Sequence, residues 1–250
     1  MSENKFPSEV IDLPSEGKLY PQNSPLSSGK LELKYMTARE EDILTSQNLI
    51  KKGVVIDRLI NSLILTEGVT TNDLVLGDKN AVMVAARILA YGPDYLCEIA
   101  HPTTGQIIEQ TFNLADCPFK KLSDDITENN FEIELPVSKK KITFRLLTGK
   151  EENQITEELK SSKKLGTEVL PELTTRLRYT ITSVDGNKDK KLINDFVINQ
   201  LLARDSMHLR KYIKSVSPDI ELRQEVMLGE ETVTVDIPMT ANFFWPDTSS

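Results

Sequence analysis

Apolar and polar residues alternate along this chain with two different periods, and the two periods mark out strands and helices in a repeated order. Leu31, Leu33 and Tyr35 alternate with Glu32 and Lys34, the period of a half-buried strand. Phe131, Ile133 and Leu135 alternate likewise, as do Ile142, Phe144 and Leu146, and these two runs predict a hairpin. Residues 95–100 and 106–112 predict another, turning around Pro102-Thr103-Thr104-Gly105. A last hairpin has Gly229 at its turn and Val233, Val235 and Ile237 on one face. Helical spacing puts Ile56, Leu59, Ile60, Leu63 and Ile64 on one side. The same spacing groups Leu192, Ile193, Phe196, Val197 and Leu201, then Leu209, Tyr212, Ile213 and Val216. The segment 79–90 is apolar nearly all round, which predicts a helix buried at the centre of its half.

End signals bound these elements. Thr37-Ala38-Arg39-Glu40 and Thr148-Gly149-Lys150-Glu151 are capping boxes, in which the hydroxyl accepts the glutamate's amide and the carboxylate reaches back to the threonine's amide. They predict helices running to about Ser46 and about Lys163. Asp78 is a candidate N-cap for the helix 79–90, and Asp205 or Ser206 for the helix that ends at Pro218. Gly92-Pro93 stops the central helix of the first half. Pro7, Pro14, Pro21 and Pro25 crowd residues 1–30, which read as an extended arm rather than a packed element.

The order repeats. Leu31-Glu32-Leu33-Lys34-Tyr35-Met36-Thr37-Ala38-Arg39-Glu40-Glu41-Asp42 aligns without a gap on Ile142-Thr143-Phe144-Arg145-Leu146-Leu147-Thr148-Gly149-Lys150-Glu151-Glu152-Asn153. Ile11-Asp12-Leu13-Pro14 matches Ile133-Glu134-Leu135-Pro136, and Pro93-Asp94-Tyr95 matches Pro218-Asp219-Ile220. The expected fold is α+β, with two pseudo-repeats that each hold a strand, a helix cluster and a peripheral β-hairpin. The expected organisation is an N-terminal arm over 1–30, pseudo-repeats over 31–125 and 126–240, and an aromatic C-terminal tail over 241–250.

Composition narrows the functional classes. The 250 residues are 39% apolar and 27% charged, a mix that buries a core. The net charge of -8 opposes phosphate backbones and anionic lipid, so neither nucleic acid nor membrane is expected as a partner. Met1 to Val10 holds no apolar signal region, and no apolar run approaches the ~20 residues that span a bilayer. Two cysteines set up no disulfide framework, which points to a reducing cytoplasm. Cys97, His101 and Cys117 are the soft-ligand candidates, and they lack the second pair that a structural zinc site needs. His208 falls off the apolar face of its helix and reads as solvated. The acids after each capping threonine favour the positive end of a helix dipole over acid/base work. No triad and no phosphate loop appears, so no catalytic, cofactor-binding or metal residues, no cofactor and no small-molecule substrate are expected, and the chain does not read as an enzyme.

The aromatic run Phe243-Phe244-Trp245-Pro246 contains the sole tryptophan. Aromatic rings at a polar terminus need a dry surface, on the parent domain or on a partner. Phe243, Phe244 and Trp245 are the candidate partner-binding residues, with Pro246 and one phenylalanine packed on the parent domain and Trp245 presented outward.

Several segments carry a resemblance. Val10-Ile11-Asp12-Leu13-Pro14-Ser15-Glu16-Gly17-Lys18-Leu19-Tyr20-Pro21 is followed by Lys34-Tyr35-Met36-Thr37-Ala38-Arg39-Glu40-Glu41-Asp42-Ile43-Leu44-Thr45-Ser46, of which Met36 to Ser46 is the most specific part. Leu76-Gly77-Asp78-Lys79-Asn80-Ala81, Ala90-Tyr91-Gly92-Pro93-Asp94-Tyr95, Asp205-Ser206-Met207-His208-Leu209-Arg210 and the closing Phe243-Phe244-Trp245-Pro246 extend it over both halves. The series is similar to the baseplate hub and hub assembly proteins of T-even-type contractile-tailed bacteriophages. The resemblance implies a structural or assembly role in the tail baseplate hub through contacts with other hub or tail proteins, located in the virion or in the host cytoplasm during assembly. A tail assembly chaperone absent from the mature virion is the alternative. Related proteins often carry a Cys-x-x-Cys knuckle in the hairpins; here those hairpins read Cys97-Glu98-Ile99-Ala100-His101 and Glu225-Val226-Met227-Leu228-Gly229. A degenerate zinc-ribbon nucleic-acid-binding protein is therefore the alternative of another class.

Overall fold

The computed structural model describes residues 7–101, 105–166, 169–228, 231–239 and 243–245. The fold is α+β. The first half runs β1 (Ser8–Asp12), β2 (Lys30–Lys34), α1 (Ala38–Thr45), α2 (Gln47–Lys52), α3 (Val55–Leu63), α4 (Leu76–Tyr91), β3 (Asp94–Ala100), β4 (Ile107–Asn113) and β5 (Phe119–Lys120). The second runs β6 (Phe131–Glu134), β7 (Lys141–Phe144), α5 (Gly149–Lys164), α6 (Glu172–Thr180), β8 (Ile181–Val184), α7 (Lys190–Asp195), a π-helical turn over Phe196–Gln200, α8 (Ala203–Val216), β9 (Asp219–Ile220), β10 (Arg223–Leu228) and β11 (Glu231–Asp236). The strands form small antiparallel sheets: β1-β2, β3-β4, β10-β11, β5-β9 and β6-β7-β8.

Both capping boxes form, with near-identical geometry. Glu40 accepts the Thr37 amide at 3.0 Å and its hydroxyl at 2.6 Å, and Glu151 accepts the Thr148 amide and hydroxyl at the same distances. The other oxygen of each carboxylate takes a cation from the preceding strand or its end, Lys34 at 2.8 Å and Arg145 at 2.9 Å. Burial acts to raise the pKa of both glutamates, yet the threonine bonds and the cations outweigh it and hold both below the usual value.

The expected extended arm is a packed element instead. Residues 8–12 pair with β2, placing Ile11 opposite Leu31, as Ile133 lies opposite Ile142 in the second half. The amide of Leu13 then closes on Gly29 O at 2.8 Å, and that of Leu135 on Lys140 O at 2.9 Å. Leu13, Leu19 and Leu26 are buried. The prolines mislead because they stand at bends between short anchored pieces. One anchor is Asp78, expected as a helix N-cap. The helix begins earlier, at Leu76, so Asp78 lies in its first turn and reaches outward. It accepts the Ser15 amide at 2.9 Å, the Ser15 hydroxyl at 2.5 Å and the Tyr20 hydroxyl at 2.6 Å. Asp205 occupies the same place in α8, which begins at Ala203, and accepts the Val137 and Ser138 amides at 2.8 and 3.0 Å.

Two hydrophobic cores result, and their membership corrects the expected boundaries. The first gathers Leu31, Leu33, Leu59, Ile60, Val82, Tyr95 and Phe112 from the first half, but also Ile220, Val226, Val235 and Ile237. The second holds Phe131, Ile142, Phe144, Leu177, Ile181, Phe196 and Leu209, together with Leu19 and Val75 from the first half. The chain thus crosses back after α8, and the β10-β11 hairpin packs on the first core rather than closing 126–240 as a unit. Gln224 donates to Asn113 O at 2.8 Å, and the Tyr95 hydroxyl to Pro238 O at 3.0 Å. The match of Pro93 with Pro218 also shifts: β3 starts directly after Pro93, whereas β9 and Glu221-Leu222 intervene between Pro218 and β10. The Gly229 turn lies outside the described residues.

Two glycines let the lobes meet. A Cβ on Gly77 would sit 1.8 Å from Pro218 O, and one on Gly149 2.1 Å from Thr71 O. Beside them Leu76 donates to Leu147 O at 3.2 Å and Gly149 to Leu74 O at 2.9 Å. No helix among the described residues is long and apolar enough to cross a membrane.

These bonds set two expectations for stability. Asp78→Ala leaves three donors without their acceptor in a buried site, and urea unfolding should register a loss of about 3 kcal/mol, against about 1 kcal/mol for Thr148→Ala at a helix cap. The lowered pKa values of Glu40 and Glu151 mean that their ionised forms favour the folded state. That stabilisation is complete above the ordinary carboxylate range and disappears as pH falls through the lowered folded values. Asp78, whose pKa burial raises, acts with the opposite sign and loses stabilisation as pH climbs through its titration. Melting curves from neutral to acid pH should therefore show a shallower acid limb in a Glu40→Gln/Glu151→Gln variant than in the parent.

Candidate functional site

The backbone crossing after α8 leaves a cleft of about 690 Å3 between the lobes. Its floor is Leu146-Leu147 after β7 and Val75-Leu76-Gly77 at the entry to α4. One wall is α6, which contributes Leu173, Arg176, Leu177 and Thr180, the i, i+3, i+4, i+7 face of a helix. A second is α8, whose Arg210, Ile213 and Lys214 follow the same i, i+3, i+4 spacing, with Ser217 at its C-cap beside them. The segment from Pro218 to Arg223 and the end of β11 close the far side. The cleft exists because Gly77 admits Pro218 so closely, and the Asn80 side chain pins Asp219 at 3.0 Å.

The rim is cationic although the chain is acidic. Lys120, Arg145, Arg176, Arg210, Lys214 and Arg223 line it, against Asp219, Glu221 and Asp236. Arg176 grips Glu152 with two bonds of 2.6 and 2.7 Å, which raises its pKa, while Arg145 holds Glu151 and Arg223 holds Asp236. Arg210 and Lys214 make no ion pair among the described residues, and Lys120 spends its ammonium on the Lys214 carbonyl. Burial depresses the Lys120 pKa, nearby Asp219 opposes that, and Lys214 adds to it. The arrangement can hold a complementary surface by apolar contact and charge.

The aromatic run lies elsewhere, and its expected presentation outward needs correction. Phe243 and Phe244 are both 2% exposed and belong to the first core. Phe243 meets Tyr95 edge-on at 5.1 Å and Phe244 at 5.2 Å. Trp245 is half-buried, and its indole N–H donates to Leu44 O at 3.1 Å. That carbonyl is in the last turn of α1, where a helix leaves its oxygens without partners, so the tryptophan supplies a missing donor. Pro246 lies outside the described residues.

The soft-ligand candidates do not assemble. Cys97 lies on the inner face of the β3-β4 hairpin, and burial raises its thiol to about 11. Cys117 is buried and takes a bond from Gln224 at 3.3 Å. No group of three or more His, Cys, Asp or Glu among the described residues is placed to hold a metal ion.

Sequence reasoning missed the cleft. Residues 172–180 mix Thr, Arg and Leu and give weak helical periodicity, and the Arg210/Lys214 pair reads as ordinary solvated surface. A usable signal was the apolar Ile213 between those two cations on one helical face.

Removing the chain after Asn242 should lower the melting temperature plainly, since two buried phenylalanines at about 3 kcal/mol each and the Trp245 bond go together. A melt indistinguishable from the full chain would mean that the run contributes nothing to folding. Comparison with protein-family models, with curated proteins and with solved structures finds no match.

Proposed function

We propose that this chain is a structural or assembly protein of a phage tail baseplate hub, working through protein–protein contacts and catalysing no reaction. The cleft carries the reading. It offers an apolar floor between two helical walls under a charged rim, the form of a recognition surface. The resemblance of Met36 to Ser46 and its companion segments to hub proteins supplies the biological setting. Partners are other hub or tail proteins, and the place of action is the baseplate or the host cytoplasm during assembly. The matched capping boxes, hairpin registers and first-turn aspartates further support an internal duplication, whose halves differ in the β9 segment.

Deleting the gene from its phage should abolish hub assembly and infectious yield. Mass spectrometry of purified particles from the parent phage then separates the two forms of the reading: the chain in stoichiometric amount marks a hub component, and its absence from mature particles marks an assembly factor. Normal particle yield from the deletion would refute both.

A further inference from the structure

We infer that the cleft between α6, α8 and the Pro218–Arg223 segment receives the apolar face of an acidic amphipathic helix from a partner protein. The inference rests on the protein-contact reading above and specifies the partner's chemistry.

Shape is the first argument. Both side walls are helices that turn one face inward, at i, i+3, i+4 and i+7 on α6 and at i, i+3 and i+4 on α8. On each wall the face mixes apolar and cationic positions: Leu173 and Leu177 with Arg176, then Ile213 with Arg210 and Lys214. A third helix laid between two helices meets them by ridges and grooves and presents its own anchors at the same spacing. The cleft volume of about 690 Å3 suits a few anchor side chains rather than a whole helix. Leu173 is left 44% exposed at the mouth, where an anchor would cover it.

Charge is the second. Within a chain of net charge -8, twice as many cations as carboxylates line this one cleft. Arg210, Lys214 and Lys120 all line it without a carboxylate in ion-pair contact among the described residues, Asp219 and Glu221 acting on Lys120 only from a distance. Glutamates or aspartates flanking the partner's apolar stripe would neutralise them and fix its register. Nucleic acid fits less well, because Asp219, Glu221 and Asp236 repel phosphate and the lining, among the described residues, contains no aromatic ring on which a base could stack.

The test uses the full chain and two labelled helix-forming peptides that share leucines at i, i+3, i+4 and i+7. One carries glutamates on the flanking positions and the other lysines. Fluorescence anisotropy should show the glutamate peptide binding and the lysine peptide at least about tenfold weaker, roughly 1.4 kcal/mol. Binding should weaken as salt rises from about 0.05 to about 0.5 M. Arg210→Glu/Lys214→Glu should reverse the preference, and Leu173→Asp should weaken both peptides, with melting curves confirming that the variants fold. No binding of the glutamate peptide, equal binding of the two, indifference to the variants, or displacement of the peptide by a thymidine oligonucleotide or anionic vesicles would overturn the inference. Restoring a deletion phage with the charge-reversed chain separates the two levels. Normal hub assembly by a chain that has lost peptide binding removes the cleft's role and leaves the hub assignment standing. Normal yield from the deletion itself removes the hub assignment and leaves the measured binding unexplained by it.

Discussion

Each lobe depends on a carboxylate that leaves its own helix to hold a hairpin. Asp78 and Asp205 stand in the first turn of α4 and α8, where the helix dipole favours negative charge, and both are fully buried. A buried charge costs several kcal/mol unless it is well bonded. The bonds here come from the bend after the first strand of each hairpin, so the hairpin cannot leave its helix without stranding the charge. The two solutions differ in chemistry. Asp205 takes two backbone amides, and these outweigh burial to keep its pKa low. Asp78 takes one amide and two hydroxyls and lies near Asp219, and for it burial wins and the pKa rises. Tyr20 extends that second network by accepting the Val75 amide at 3.0 Å, which ties the N-terminal segment to the entry of α4.

What was readable in the sequence follows the span of each interaction. Both capping boxes were legible because each of their bonds closes within four residues. The strand pairs β3-β4 and β6-β7 were legible because alternation and a turn specify a hairpin locally. The packed N-terminal segment was not, since its anchors Ser15 and Asp78 lie far apart and neither residue type announces a partner. The placement of β10-β11 failed for a related reason. Alternation in Val233, Val235 and Ile237 reveals which face is apolar and says nothing about which core receives it. The aromatic run shows the same limit: its need for burial was evident, but the slot beside Tyr95 and the free Leu44 carbonyl are products of the tertiary fold.

Net charge and local charge give opposite indications in this molecule. The total of -8 describes the far field and disfavours phosphate-rich partners. The cleft collects its cations from β5, α6, α8 and the strand ends, elements that are far apart in sequence, and no local window of the chain shows the cluster. It is also built where the chain changes lobe, so the backbone that creates the cavity is the same backbone that joins the two cores.

That joint also restricts which residues can stand at it. It needs no side chain at Gly77, the second residue of α4, or at Gly149, the first residue of α5, because carbonyls of the other half occupy the space. The positions equivalent by helix start are Arg204, second in α8, and Ala38, first in α1. Each carries a Cβ where the internal joint tolerates none. The close approach therefore belongs to the two inner helix starts, where the Pro218 and Thr71 carbonyls meet bare backbone. The approach of Pro218 to Gly77 is also what shapes the cleft beside it, because the segment from Pro218 to Arg223 that it fixes is the far side of that cleft.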